Sequence, residues 1–511
     1  MASFAFYSAL FSTNSLLLPP CVHRLPIYLQ TKQNISQFSV IASSSTGGSE
    51  LTTEAAVTKT ESERTSFGFK NLTETFWVDV HRAEGRPLSV RLNESLTFAS
   101  SKLEKVESVV IRIELRNGCV GWGEVPVLPL GNWNQAMALE KVKEACKFLG
   151  QGPPLTLNLV LDKISENVPG REFASVRAGL EMALIDAAAN SIGVPLWRLF
   201  GGVSNTLSTA ATIPTASLVK AFDLAAKYCK LGFKILELRV GRDLNADIEV
   251  LQAVRAAHPH CLFILDANEQ YTSKEAIEVL EKLNEKGATP VLFEQPVHRD
   301  DWRGLSEVST VAREKYGISV AADESCRNLV DIQKLIQENI VDVINIKLSK
   351  FGVLGTLEIV EMVKKSKLNL MIDSVAETRL AAGVAGHLAA GLGCFKYVNL
   401  SAPILLSEDP VVGGYEVSGS NHKFVNSRGQ GGFLKWDIAS CFLPYYARMC
   451  NARSSNSVFV PSSCRDYLFA CVCGLILDRV EGQGWGGNRG RYNASFKLSE
   501  TAYIRIFSSI N

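Results

Sequence analysis

The chain has 511 residues, enough for a large core and more than one domain. Hydrophobic residues make up 46% and charged residues 21%, with a net charge of +1, so nothing argues for nucleic acid or an anionic membrane surface as a partner. No apolar run reaches the roughly 18 residues of a membrane-spanning helix, and the twelve scattered cysteines form no Cys-x-x-Cys pair, which reads as reduced thiols rather than a disulfide scaffold or zinc site.

Residues 1–49 contain no Asp or Glu and are rich in Ser, Thr and Leu, with Arg24 and Lys32 as the basic residues. That is the composition of an organelle transit peptide, and so few basic residues favour a chloroplast over a mitochondrion. Residues 1–45 are therefore expected to be a transit peptide, with cleavage near Ile41-Ala42-Ser43, and residues 46–70 a linker rich in Ser, Thr and Glu.

From residue 74 to 125 the runs WVDVHRAE, SVRLNESLTFA and ESVVIRIELRNGCVGWGEV alternate apolar and polar residues, as half-buried strands do. Asn117-Gly118 between two such runs predicts a hairpin. Leu96 to Glu104 reads as a loop, either a plain surface hairpin, which this stretch alone favours, or a mobile cover over a pocket. Ser175 to Ile192 places Val176, Leu180, Leu184, Ala187 and Ala188 on one helical stripe, with Met182 in the core. Gly193-Val194-Pro195 should end that helix. Residues 71–200 thus read as an α+β domain.

A periodic region follows. LSTAATIP (207–214) is a candidate first strand. Six apolar runs come next, FKILELR, LFILDAN, VLFEQP, ISVAADES, VINIKL and LNLMIDSVAE, and FKYVNL makes an eighth. Each of the six ends in a charged residue: Arg239, Asp266, Glu294, Asp323, Lys347 and Glu377. Their separations are 27, 28, 29, 24 and 30 residues, and one strand, loop and crossover helix needs about 30. The intervening stretches read as helices. Ile248, Leu251 and Val254 share a face, and Thr272 with Glu275 makes a capping box. Strand alternating with helix predicts a parallel sheet. Polar ends on six consecutive strands favour a closed barrel, whose site gathers at the carboxyl ends of its strands. Residues 201–403 are therefore assigned to the barrel. The chain loses its pattern after Trp436, and residues 437–511 form a tail with no assigned role.

Three carboxylates from adjacent strands, Asp266, Glu294 and Asp323, make a hard all-oxygen site suited to Mg²⁺. Asn268 and Gln295 lie beside them as natural supporting donors. A divalent ion between bases points to removal of a proton next to a carboxylate, where the ion stabilises the charge that develops. Lys347, on the next strand, can act as base if it is neutral, and proximity to Mg²⁺ and partial burial both depress a lysine pKa.

DAN, FEQP, ADES and NIKL, with VGWGE and AGLEMALIDA upstream, resemble the enolase superfamily. Within it the chain is most similar to the muconate-lactonizing subgroup and its dipeptide epimerases, which act on alanyl-glutamate and related dipeptides. The resemblance covers Phe76 to Trp436. It implies a modified (β/α)7β barrel under an N-terminal α+β cap, to which residues 404–436 return. It also implies Mg²⁺ on Asp266, Glu294 and Asp323, Lys347 as one acid/base, Glu377 as a supporting carboxylate, and a small-molecule carboxylate substrate, a dipeptide by this resemblance. Barrels of this kind often assemble, which leaves a homo-oligomer open.

Three departures qualify that expectation. The family's second strand carries Lys-x-Lys, whose second lysine is the other base. Here the motif is Glu237-Leu238-Arg239. Residues two apart share a strand face, so Glu237 and Arg239 are expected to pair, and an arginine does not act as a base. Where the dipeptide epimerases carry Asp-x-Asp for the substrate ammonium, this chain has Asn399-Leu400-Ser401. Asp373-Ser374 stands where the family has a glycine, and its charge is expected to repel an anion. Three readings stay open: a dipeptide epimerase relative with a changed substrate, a one-base cycloisomerase or syn-dehydrating synthase using Lys347, and a non-catalytic metal-binding paralogue. His298 reads as a surface residue and His387 as packed within a helix.

Overall fold

The computed structural model describes residues 68–98, 101–128, 133–214, 217–241 and 243–436. The expected transit peptide, most of the expected linker, and the 437–511 tail lie outside those residues. The linker ends earlier than its composition implies. Residues 68–75 are helical, and Phe69 is buried with its ring 5.5 Å from that of Phe200.

Eight parallel strands neighbour one another in chain order: β1 (Ala211–Ile213), β2 (Ile235–Arg239), β3 (Leu262–Asp266), β4 (Leu292–Glu294), β5 (Ser319–Ala322), β6 (Val343–Ile346), β7 (Asn369–Asp373) and β8 (Phe395–Asn399). The seam between β8 and β1 is bridged by the Ala210 amide, which donates to the Val398 carbonyl at 2.8 Å. The run 207–214 is not one strand. Thr206–Ser208 pairs antiparallel with Asn421–Phe424, and the chain changes sheets at Thr209 and Ala210, where Thr209 donates to Ser420 and Ala210 to Val398.

Strand alternation sorts the side chains. Outward residues such as Leu236, Phe263, Phe293, Val320, Ile344 and Leu370 pack under the surrounding helices. Inward residues form two layers. The lower is an apolar plug of Ile264, Leu292, Ala321, Val343, Met371 and Tyr397, with Ile235 at its edge. Two residues further along each strand, the same inward face becomes polar. The register sets Arg239 opposite Asp266 and Asp266 opposite Glu294, so a ring of charge sits on the plug at the carboxyl ends of the strands.

The helices end where their signals place them. Thr272 and Glu275 form the full capping box, and Gly193 closes helix Ala174–Ile192 in the left-handed conformation. That helix is buried nearly all round. On one side it carries an antiparallel sheet of Val80–Phe98, Ser101–Leu115 and Val120–Val127. Contact is close enough that a Cβ on Gly121 would lie 2.0 Å from the Ala183 carbonyl, which leaves no side chain but hydrogen there. Leu96 to Glu104 is not an open loop. Its backbone pairs out to Phe98 and Ser101 as the end of a hairpin arm, with residues 99–100 outside the described set. Among the described residues no helix is long and apolar enough to cross a membrane.

Candidate active site

The arm, the 133–175 segment and the barrel mouth enclose a cavity of about 460 Å³, within the range of small-molecule sites. The arm contributes Leu92, Leu103 and Val106. The floor holds Glu237, Arg239, Asp266, Asp323, Lys347 and Asp373. Glu294 lies just beneath, almost fully buried.

Lys347 is the hub of this floor. Its Nζ lies 2.5 Å from Asp323 Oδ2, 3.1 Å from Asp373 Oδ2 and 4.0 Å from Glu294 Oε1. Burial works to lower its pKa, but Asp323, Asp373, Glu294 and Glu324 together hold it well above the usual lysine value. With these carboxylates around it, Lys347 stands as the cationic counter-charge of the acidic cluster. Asp373, in turn, faces Lys347, so its charge is directed at the lysine rather than repelling an anion from the cavity.

Glu237 and Arg239 share the inward face of β2, close enough for the guanidinium to act on the Glu237 charge. Glu237 also looks away from its own strand. It accepts from Asn399 Nδ2 and, at 3.5 Å, from Thr212 Oγ1. Asn399 also donates to Thr212, and Ser401 Oγ donates to Asn399 Oδ1 at 2.7 Å. These four side chains therefore stitch β8 to β1 and β2 across the barrel seam. Burial, with Asp373 and Asp266 nearby, raises the Glu237 pKa against the opposing pull of Arg239 and Lys347. Glu377 does not close β7, since Asp373 does. Glu377 is buried in the following loop outside the cavity lining, and burial with Glu124 and Asp373 nearby raises its pKa well above the usual value.

The donor set fits a hard dication chemically. Six carboxyls (Glu237, Asp266, Glu294, Asp323, Glu324 and Asp373) face three cations (Arg239, Lys347 and Lys350). Burial is the largest cause raising Asp266 and Glu294, and their neighbouring carboxylates add to it. Glu294 Oε1 accepts from Asn345 Nδ2 at 2.8 Å, while its Oε2 is buried with no hydrogen-bond partner. An orphaned carboxylate oxygen in an acid-rich cluster is an atom that a bound cation or water would satisfy. Among the described residues no three such side chains stand in ligating geometry. Asp323 is engaged by lysines instead, its Oδ1 2.6 Å from Lys350 and its Oδ2 held by Lys347. Burial tends to raise Asp323, but the two lysines outweigh it and hold its carboxyl below the usual range.

The loops behind these carboxylates are strained. Asn268, Glu269 and Gln295 have φ of 41°, 69° and 37°, unfavourable for residues with a Cβ. Gln295 offsets this cost with its side chain, whose Oε1 accepts from the Asp323 and Ser325 amides at 2.9 and 3.1 Å. Asn268 Nδ2 donates to Glu324, and Glu269 is paired with Arg299.

Two domain families match the chain. "Mandelate racemase / muconate lactonizing enzyme, N-terminal domain" spans residues 86–201, and "Enolase C-terminal domain-like" spans residues 220–431. The chain belongs to the enolase superfamily. It is 59% identical over 386 residues to an L-Ala-D/L-amino acid epimerase of Populus trichocarpa, covering 75% of this chain and 92% of that one. A substrate-liganded L-Ala-D/L-Glu epimerase from Bacillus subtilis superposes with a TM-score of 0.65 at 30% identity, over 70% of this chain and 99% of that one. A dipeptide epimerase from Enterococcus faecalis, complexed with Mg and L-Leu-L-Tyr, gives 0.62 at 29% identity, over 69% and 99%. This superfamily member is thus an isomerase-type enzyme related to the dipeptide epimerases.

Several residues at the site escape a reading of the sequence. Lys350 follows Lys347 by one helical turn, so both reach Asp323, and that spacing is the available signal. Asn345 sits two residues before Lys347 on the same strand face. The cavity residues Arg171 and Glu172 have no signal in the pattern.

The histidines stand apart from this chemistry. His298 is exposed beside Asp300. His387 is fully buried: Nδ1 accepts from the Trp197 amide and Nε2 faces the Gln430 carbonyl, both at 3.2 Å. Burial pushes its pKa down to about 4. The unfolded imidazole takes up a proton near pH 6.5, the folded one only near 4, so this residue's contribution to stability is lost as pH falls between those values. The contribution amounts to about 3 kcal/mol. Asp186 and Glu181, both pushed up to about 7 by burial, act in the opposite sense over much of the same range. The informative quantity is therefore a difference. On going from pH 7 to pH 4.5 the urea midpoint of the wild type should shift further in the destabilising direction than that of His387→Gln, the signed difference between the two shifts being the His387 contribution.

Proposed function

We propose that this enolase-superfamily member is an Mg²⁺-dependent isomerase that removes the proton α to the carboxylate of a small dipeptide-like substrate. The single observation that carries this reading is the ring order. Lys347 after β6 and Arg239 on β2 flank Asp266, Glu294 and Asp323, which end or follow β3, β4 and β5, under a cavity of dipeptide size. Asp266, Glu294 and Asp323 would hold the ion, which when bound neutralises charge developing on the substrate carboxylate.

The chain's own residues supply the rest. Lys347 takes the α-proton from its own face of the substrate, and net epimerisation requires a proton to return on the opposite, β2 face. Its proton affinity follows the carboxylates around it, so engagement of Asp323 elsewhere is what lowers it toward a usable value. Lys350 is the second hand on Asp323. Arg239 stays charged and offers hydrogen bonds to substrate oxygen from the face opposite Lys347. The seam network of Glu237, Thr212, Asn399 and Ser401 forms the neighbouring wall, in which one buried acid is hydrogen-bonded to a neutral amide and a hydroxyl. The apolar lining Leu92, Leu103 and Val106 excludes water from above. The acid-free composition of residues 1–49 supports delivery to a plastid.

A one-face variant of the reaction is favoured by one specific residue. Arg239 stands in place of a lysine, so Lys347 is the amine on one side and a guanidinium occupies the other. With Lys347 as the sole base, exchange of the α-proton with retention follows, and net reaction is then that of a one-base cycloisomerase or syn-dehydrating synthase and not an epimerisation. The test is deuterium incorporation by NMR in D₂O with Mg²⁺, over a panel of L-Ala-containing dipeptides and N-acylamino acids. Exchange that stops on chelation and resumes with Mg²⁺ is the expected result. Inversion would mean that a second proton donor operates on the β2 side. Absence of exchange across the panel, with Mg²⁺ still bound, would favour a non-catalytic metal-binding protein.

A further inference from the structure

Helix Ala174–Ile192 does more than support the cap sheet. Glu181, on its buried face, reaches the segment that follows β6. Its Oε2 accepts from the Val353 amide at 2.6 Å and from the Leu354 amide at 3.2 Å. Those are the first N–H groups of a helix that has just restarted. The segment Leu348–Val363 is broken at Gly352, whose φ of 71° and ψ of −175° are not helical. One turn, 347–351, is closed by the Lys350 and Phe351 amides donating to the Lys347 carbonyl. The helix then begins again at Val353, capped by a carboxylate from another part of the fold. Capping N–H groups with a carboxylate at a helix start is favourable for both hydrogen bonding and charge.

The bend is tailored to this glutamate. A Cβ on Gly352 would stand 2.4 Å from Glu181 Oε2, and Thr356 Oγ1 donates to the Gly352 carbonyl at 2.7 Å from the other side. The single turn held in front of the bend carries both lysines that grip Asp323. One turn earlier on the same cap helix, Arg177 donates to the Val168 and Gly170 carbonyls, each at 2.6 Å. Arg171 and Glu172 follow directly and line the cavity. The cap helix thus fixes one stretch of the cavity wall through Arg177 and the lysine-bearing turn through Glu181.

We propose that Glu181 is a positioning residue: by capping the helix restart at Val353 it fixes the 347–351 turn, and with it the register of Lys347 and Lys350 on Asp323. The functional half of this inference rests on the assignment of Lys347 as the proton-transferring group. The geometric half does not. Glu181 lies outside the cavity lining and the carboxylate ring, so its loss acts through the turn.

The experiment uses the full chain and two variants, Glu181→Gln and Asp186→Asn. Asp186 is a buried carboxylate about one and a half turns further along the same helix, but it accepts from Trp122 and Gln430, away from the β6 segment. Lysines are acylated with a short pulse of acetyl N-hydroxysuccinimide ester, and the rates at Lys347 and Lys350 are read by peptide mass spectrometry beside the melting temperature. Both variants are expected to melt lower. Only Glu181→Gln should speed acylation at Lys347 and Lys350, by several-fold. In α-proton exchange it should lose at least about tenfold in kcat with KM within about twofold, as a misplaced group does. Because a glutamine oxygen can still accept from both amides, Glu181→Ala is measured beside Glu181→Gln, and wild-type acylation rates in Glu181→Ala, with a lowered melting temperature, would reduce Glu181 to a structural role and overturn the proposal. Should Glu181→Ala fail to fold, Thr356→Val loosens the same bend from the opposite side, and unchanged labelling there overturns it equally. If labelling shifts as expected but the wild type exchanges no α-proton, the proposed function fails while the positioning stands.

Discussion

Lys347→Ala is expected to reduce α-proton exchange by about 10²–10⁴-fold, the usual contribution of a positioned general base. The effect should fall on kcat, because Lys347 sits at the floor of the cavity rather than on its apolar walls. Lys347→Arg should restore nothing, since a guanidinium does not give up its proton in a protein, although it keeps the charge. Mg²⁺ uptake, measured by calorimetry, should survive the alanine substitution and tighten. In the wild type, Lys347 competes with any cation for Asp323 Oδ2, at 2.5 Å. Activity lost with metal binding kept is the combination that identifies a base. Exchange within about twofold of wild type would remove Lys347 from the mechanism.

The same cluster shows which parts of the site are legible in a sequence. Strand spacing and the 2.0-residue period fix which side chains point inward. That is why Arg239, Asp266, Glu294, Asp323 and Lys347 can be placed on one ring without coordinates. The period gives direction but not partners. Glu237 faces inward beside Arg239, yet it accepts hydrogen bonds from Asn399 and Thr212, because closing the barrel brings β8 and β1 beside β2. The contact with Asn399 joins residues 162 positions apart. Glu377 shows the complementary error. The run LNLMIDSVAE continues four residues past the end of its strand, so a buried loop carboxylate takes the place that belongs to Asp373. For Lys347, burial alone predicts a neutral amine. Its environment also holds Asp323, Asp373 and Glu294, and at these separations their attraction outweighs desolvation. Sequence position carries no information on that balance, which depends on distances of a few ångströms.

The double change Glu237→Lys with Arg239→Lys is expected to have the largest gain of any substitution. It should convert exchange with retention into exchange with inversion, at a rate about 10²-fold or more above the wild-type rate of inversion. β2 and β6 flank the carboxylate ring on opposite sides, so an amine at 239 would face Lys347 across a substrate anchored on β3 to β5. Arg239 already stands opposite Asp266 in the strand register, so a lysine there needs no new backbone. What it needs is a lowered proton affinity. Arg239→Lys alone leaves the Glu237 acid on the same strand face, which favours the charged amine. The second change replaces that acid with a like charge and pushes the other way. The expected order for inversion is therefore wild type, then Arg239→Lys, then the double variant. Asn399 can accept a hydrogen bond from the ammonium introduced at position 237 by turning its amide, which exchanges the places of Oδ1 and Nδ2. Chiral chromatography of dipeptide products, with α-deuteration read in parallel, separates the outcomes. A double variant that binds Mg²⁺ but inverts nothing would move the obstacle from the missing base to the neutral Asn399 and Ser401 wall, where the substrate's amino end has lost its counter-charge.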